Sequence, residues 1–151
     1  MAAALKAEVA DDATALHGKL LCITHGRANV DVVADLLVAH SGVQLIHADS
    51  GLDGVRMAHA EQPDFVLLDM RLPDIGGLEV VRRLNDEIAG RGLRVTILTA
   101  ERSSMDTIRA MSLGAFEYWP KPLEPRLFQA GLRRALTGRR PDPAHTLQSQ
   151  R

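Results

Sequence analysis

Three polar residues of different chemistry each close a short apolar run. Asp69 follows Phe65-Val66-Leu67-Leu68, Thr99 ends the stretch from Arg94 in which Val95, Ile97 and Leu98 are apolar, and Lys121 comes just after Phe116 to Trp119. A carboxylate, a hydroxyl and an ammonium around one crevice suit a phosphoryl group. The carboxylate can be the nucleophile and form an acyl phosphate, while the hydroxyl and the ammonium bond the new oxygens. Taken singly, Thr99 and Lys121 read as solvated positions and Asp69 as a strand-end acid capping a loop; it is the set that points to chemistry. Pro73, Gly76 and Gly77 break the chain after Asp69, and Asp74 between them reads as loop structure.

Only a fold that lines up the ends of these runs can make them a site. Four consecutive apolar residues in 65–68 read as a strand buried on both faces, which occurs in parallel sheets covered by helices. Strand-helix units recur along the chain. Leu20 to Ile23 is followed by a turn through Gly26, Asn29 as an N-cap, and Val30, Val33, Leu36 and Leu37 at helical spacing. Val43 to Ala48 precedes a helix capped by Ser50 that ends before Pro63, and Phe65 to Asp69 precedes one helix predicted over Gly77 to Ala89. Arg94 to Thr99 leads into a helix capped by Ser103, with Asp106 three residues on and Gly114 as its stop. Phe116 to Trp119 leads into a last helix from Pro125 with Leu127, Leu132 and Leu136 along one stripe. Five such alternations predict an α/β fold, a single doubly wound five-stranded parallel sheet with five helices. In such sheets the carboxyl ends of the strands form the ligand crevice, where Asp69, Thr99 and Lys121 converge.

At 151 residues the chain suits one domain with a sizeable core. The expected boundaries are an N-terminal extension over 1–18, the folded domain over 19–137, and a disordered tail over 138–151, too short to be an output domain. Eighteen basic against nineteen acidic residues leave a net charge of -1, so nothing demands nucleic acid. The cluster Arg133, Arg134, Arg139, Arg140 reads as a solvated helix end, because cations favour helix C-termini. No apolar run approaches a membrane span, and the N-terminus lacks a signal-peptide core. The lone Cys22, inside an apolar run, excludes an internal disulfide and reads as a buried inert thiol. A cytoplasmic setting is expected.

The segments PDFVLLDMRLPDIGGLEV at 63–80, VTILTA at 95–100 and GAFEYWPKP at 114–122 resemble the receiver domains of two-component response regulators, a likeness covering about residues 19–137. The resemblance implies the flavodoxin-like strand order 2-1-3-4-5 and no enzymatic activity. It implies that Asp69 accepts a phosphoryl group from a histidine kinase, a phosphotransfer protein or a small phosphodonor. It further implies that Thr99 moves to bond the phosphate, that Lys121 pairs with it, that Tyr118 swings inward as a switch, and that the Lys121-Pro122 bond is cis. Read without the family, Tyr118 is a half-buried strand aromatic and Trp119 is packing. Output is expected through protein-protein contact on the fourth helix, fifth strand and fifth helix, with an unnamed downstream partner and a homodimer left open.

The chain departs from that family at the first strand. Two acids that hold Mg²⁺ are replaced by Thr24 and His25, and a hard cation wants carboxylate oxygens, so Mg²⁺ binding is doubtful and no metal is expected. Were a metal retained, the Asp69 side chain and the Arg71 backbone oxygen would hold it. Thr24, His25 and Arg71 join Lys121 as candidates for an anion pocket in which side chains supply the charge of the metal. Three alternatives accompany this reading. One is a degenerate receiver that docks a partner without phosphorylation. Another is a flavin or nucleotide binder using Thr24 to Asn29 as a phosphate loop. The third is a metal site of His25, His47 and Asp49.

Overall fold

In a computed structural model residues 15–101 and 103–137 are described; the expectations for 1–14, for Arg139 and Arg140, and for the tail over 138–151 lie outside them. In chain order the elements are β1 (Gly18–Ile23), α1 (Ala28–Leu36), β2 (Val43–Ala48), α2 (Gly51–Glu61), β3 (Phe65–Asp69), α3 (Gly77–Arg83), α4 (Asn85–Arg91), β4 (Arg94–Thr99), α5 (Met105–Ser112), β5 (Glu117–Pro120) and α6 (Pro125–Thr137). The strands form one parallel sheet of order β2-β1-β3-β4-β5, as expected.

The continuous apolar runs are explained by two cores. Side chains alternate across a strand, so Leu20, Cys22, Phe65, Leu67 and Leu98 pack with Val30 and Val33 of α1 and Phe128 and Leu132 of α6. Leu21, Ile23, Val66, Leu68, Val95 and Ile97 pack on the other face with Ala58, Val80, Val81, Leu84 and Ala110. Each fully buried Leu, Val or Phe contributes roughly 1.5–3 kcal/mol. Trp119 closes the first core, edge-on to Phe65 and to Phe128 with ring centroids 5.9 and 5.8 Å away. It lies so close to α6 that a Cβ on Gly131 would overlap its Cζ2.

Several local expectations are corrected. The single helix over 77–89 is two, which makes six helices among the described residues where five were expected. The break falls at Leu84, which is fully buried and leaves helical geometry at φ -95, ψ 8, so the chain bends where that side chain is drawn into the core. Asn29 is no N-cap: Arg27 holds that place without a side-chain cap, and Asn29 lies inside α1 with its amide turned to Thr24. The cap of α5 is Ser104, not Ser103; its hydroxyl accepts from Thr107 N. Ser50 caps α2 as expected, accepting from Asp53 N. Leu16, ahead of the expected boundary at 19, is buried in the first core.

At the amino end of the strands the two ends of the described fold meet. A Cβ on Gly18 would lie 3.1 Å from Leu136 Cδ2. The Arg94 guanidinium, which opens β4, donates to the carbonyls of Arg134 and Ala135 in the last turn of α6. Among the described residues no helix is long and apolar enough to cross a membrane.

Candidate functional site

Sheet register puts the chemistry at one edge. Ile23 pairs with Leu68, Asp69 with Leu98, and Thr99 with Pro120, so Thr24, Asp69, Thr99 and Lys121 all emerge at the carboxyl ends of neighbouring strands. Lys121 N donates to Thr99 O at 2.9 Å, and the Lys121-Pro122 bond is cis. A cavity of about 260 Å³ opens there, lined by Asp69, Arg71, Thr99, Ser104 and Lys121 among others.

Asp69 is buried and its carboxylate accepts three hydrogen bonds. Oδ1 takes the Lys121 ammonium at 2.8 Å and the Arg71 backbone N–H at 3.0 Å; Oδ2 takes the Thr24 hydroxyl at 3.1 Å. A buried carboxylate needs such partners, and hydrogen bonds to a charged group are among the stronger ones. The Thr24 oxygen in turn accepts from Asn29 Nδ2 at 3.3 Å, while the Thr24 carbonyl accepts from His47 Nε2 at 2.7 Å. Thr99 lines the same cavity, and its hydroxyl accepts from Glu101 N at 3.0 Å. Behind the site, burial first and then the Asp69 charge push the Cys22 thiol up to about 12.

Two of the residues expected around an anion are not brought to Asp69. His25 is 62% exposed and its Nδ1 lies 3.4 Å from Asp49 Oδ2. Arg71 gives Asp69 only its backbone N–H; its guanidinium is 85% exposed and lies 3.8 Å from Glu101. In both cases a nearby acid offers the side chain a polar partner in solvent. Asp49 is itself held below the usual carboxylate range, chiefly by the backbone N–H of Gly26. The glycine N–H and the Thr24 hydroxyl of the suggested phosphate loop therefore bond within the protein. Around His25, His47 and Asp49, as elsewhere among the described residues, no group of three ligating side chains could hold a metal.

Tyr118 stands on β5 at 41% exposure; Met105 and Ile108 of α5 and Leu127 of α6 are likewise exposed apolar side chains. Asp74, read as loop structure, does more than bend the chain. Its two oxygens accept from Gly51 N at 2.8 Å and Leu52 N at 2.9 Å, so the loop after Asp69 is clipped to the first turn of α2. The Leu52 bond foremost, with the Gly51 bond, lowers its pKa to about 2. Glu101 is the participant that sequence reasoning missed, while Asn29 and Asp49 were read in other roles, as a helix cap and a metal ligand. Asp49 and Glu101 each lie one or two residues past a strand end, a position that could have flagged them.

This architecture recurs in known proteins. The chemotaxis protein CheY4 of Vibrio cholerae superimposes with a TM-score of 0.70 at 22% identity, over 80% of this chain and 99% of that one. The receiver domain of a sensor histidine kinase from Pseudomonas aeruginosa, whose structure has magnesium in its active-site cleft, gives 0.68 at 25% identity, over 78% and 96%. In sequence, the polar-differentiation response regulator DivK of Brucella ovis is 32% identical over 111 residues, 73% of this chain and 89% of DivK. The transcriptional regulatory proteins SilR of Salmonella typhimurium and AfsQ1 of Streptomyces coelicolor are 36% and 32% identical, and this chain spans only 36% and 44% of their lengths. The family described as response regulator receiver domain matches residues 20–133, so the chain belongs to that family and is a receiver domain of two-component signalling.

Proposed function

We propose that this receiver works in the cytoplasm, takes its phosphoryl group on Asp69 from a histidine kinase or phosphotransfer protein, and does so without bound Mg²⁺. The observation that carries this is the donor set on the carboxylate: Lys121 Nζ, Arg71 N and the Thr24 hydroxyl, all within 3.1 Å. These donors compensate the charge that a metal would otherwise meet. A hard cation takes about six oxygen ligands, with carboxylates foremost. Beside Asp69 the end of β1 offers a hydroxyl already engaged and an imidazole turned to Asp49, so the residues present do not fit Mg²⁺ in the usual mode. The magnesium in the P. aeruginosa neighbour belongs to that protein.

Output runs through a protein partner on the face of α5, β5 and α6. What supports this is the exposed apolar set Met105, Ile108, Tyr118 and Leu127. A bistable element biased by the site is what such coupling needs, and Thr99 with Tyr118 supplies it.

The test is to incubate the full chain with acetyl phosphate, with Mg²⁺ and with EDTA, and to weigh it. Phosphorylation of wild type in EDTA, abolished in Asp69→Asn, is the expected result; phosphorylation at Asp69 only with Mg²⁺ sinks the metal-free part. A second reading, a degenerate receiver that docks its partner constitutively, draws on the same donor set, because unmodified Asp69 is already well partnered. No phosphorylation in either condition favours it.

A further inference from the structure

Thr107 carries a buried hydroxyl, 1% exposed, on the first turn of α5, and it has no part in the donor set on Asp69. It belongs to a chain of hydrogen bonds whose direction is fixed at each step, because some of the atoms can only donate and others can only accept. The Glu101 carbonyl can only accept, so the Thr107 hydroxyl donates to it at 3.3 Å. With that proton committed, Thr107 Oγ1 accepts from the Ser104 hydroxyl at 2.9 Å, and Ser104 Oγ takes the Thr107 backbone N–H at 3.1 Å. Ser104 N donates to the same Glu101 carbonyl at 3.1 Å. On the other side of its Cα, the Glu101 N–H can only donate, and it gives its proton to Thr99 Oγ1 at 3.0 Å. The Thr99 oxygen is thereby taken up as an acceptor. The Thr99 hydroxyl proton finds no acceptor among the described residues, and Thr99 lines the cavity with Asp69 and Lys121.

From this chain we infer that Thr107, with Ser104, is a positioning residue for Thr99: it anchors Glu101 so that the Glu101 N–H turns the Thr99 hydroxyl proton into the cavity, toward an arriving phosphoryl oxygen. The inference rests on the reading that Asp69 is the phosphoacceptor. With acetyl phosphate as donor, a carboxylate oxygen of Asp69 forms the new O–P bond as the bond from phosphorus to the acetate oxygen breaks, and acetate leaves with that electron pair. No proton changes hands. Thr99 contributes a hydrogen bond to a phosphoryl oxygen and keeps its proton. A hydroxyl left to itself rotates to suit its surroundings, and the Glu101 N–H removes that freedom. A donor already aimed where phosphoryl charge gathers needs no reorganisation as the reaction proceeds, which is the condition for accelerating it. Of the two anchors on the Glu101 carbonyl, the Thr107 hydroxyl is shielded from water, so water does not replace it when it is removed.

The experiment measures the rate of phosphorylation by acetyl phosphate in intact-mass time courses on the full chain, in whichever of Mg²⁺ or EDTA gives the faster wild-type reaction. Thr99→Ala, which removes the donor, should slow the reaction by about tenfold. Thr107→Val, close in shape but without the hydroxyl, should slow it by about fivefold, and Thr107→Ser, which keeps the hydroxyl, should stay within about twofold of wild type. Because Thr107 acts through Thr99, Thr107→Val should have no further effect in the Thr99→Ala background, whereas a merely structural role would slow both backgrounds equally. Urea midpoints identify any variant that has lost its fold. Should Thr107→Val be one, Ser104→Ala carries the same comparison, with a slowing of about threefold that vanishes in the Thr99→Ala background. A folded Thr107→Val that reacts as fast as wild type overturns the inference, and so do equal losses in the two backgrounds. Thr99→Ala reacting at the wild-type rate overturns it as well. A wild type that takes no phosphoryl group overturns the phosphoacceptor reading, and this inference with it.

Discussion

The Lys121 ammonium lies 2.8 Å from Asp69 Oδ1, with the carboxylate 7% and the lysine 26% exposed. The pair is unequal, since the lysine is more open to water than the aspartate. Lys121→Met leaves a buried charge without its cation and should destabilise the fold by about 2 kcal/mol, below the cost of breaking a fully buried pair. Asp69→Asn removes the charge itself and should cost less, about 1 kcal/mol or under. The double variant should recover most of the loss. Urea unfolding measures all three, and equal losses in the two single variants would contradict the asymmetry.

Cys22 offers an independent gauge of the same core. A buried thiol raised to about 12 holds almost no thiolate at neutral pH, and only the thiolate reacts. Ellman's reagent should label wild type only through its small unfolded fraction, when opening and closing are fast relative to labelling. Lys121→Met should accelerate labelling by about thirtyfold if it costs about 2 kcal/mol. Rapid labelling of the native wild type would show that the core is open.

Asp74 ties the loop after the phosphoacceptor to α2. Its folded pKa of about 2 is depressed, so its stabilisation is complete above the ordinary carboxylate range and is lost as pH falls through about 2. Asp74→Asn should lower the urea midpoint at pH 7. The gap from wild type should narrow below about pH 4 and close near pH 2. A gap that does not change with pH would assign the effect to something other than the charge.

Gly131 faces Trp119 within α6. In an exposed helix a glycine-to-alanine change gains up to about 1 kcal/mol. Here the added methyl must displace an indole packed against Phe65 and Phe128, and overpacking of this kind costs roughly 1–3 kcal/mol. Gly131→Ala should therefore destabilise and shift the fluorescence of Trp119, the single tryptophan. Trp119→Phe in the same background should restore most of the stability.

The central strands were the most legible in the sequence because they are buried on both faces and read as largely apolar runs, Phe65 to Leu68 most plainly; the edge strands β2 and β5 interrupt theirs with exposed residues such as Gln44 and Tyr118. The convergence of Asp69 and Lys121 followed from strand ends in a parallel sheet. The break at Leu84 was hidden, since Leu78, Val81 and Leu84 continue one helical stripe across it. The aims of His25 and Arg71 were hidden for another reason. An exposed polar side chain goes to whichever acid the fold sets beside it, and Asp49 and Glu101 come from other strand ends. Asn29 carried a misleading local signal: its side chain suits a helix cap, but Thr24 lies within its reach only once β1 and α1 are in place.

The meeting of Gly18 with Leu136, and of Arg94 with the last turn of α6, sets a polarity on the whole domain. Strands of five or six residues separate that pole from the crevice by roughly 17–20 Å. Fluorophores or fusion partners attached next to residues 18 and 136 would sit side by side and leave the mouth around Asp69 clear. They would form a close donor-acceptor pair that registers opening of the amino pole without touching the chemistry.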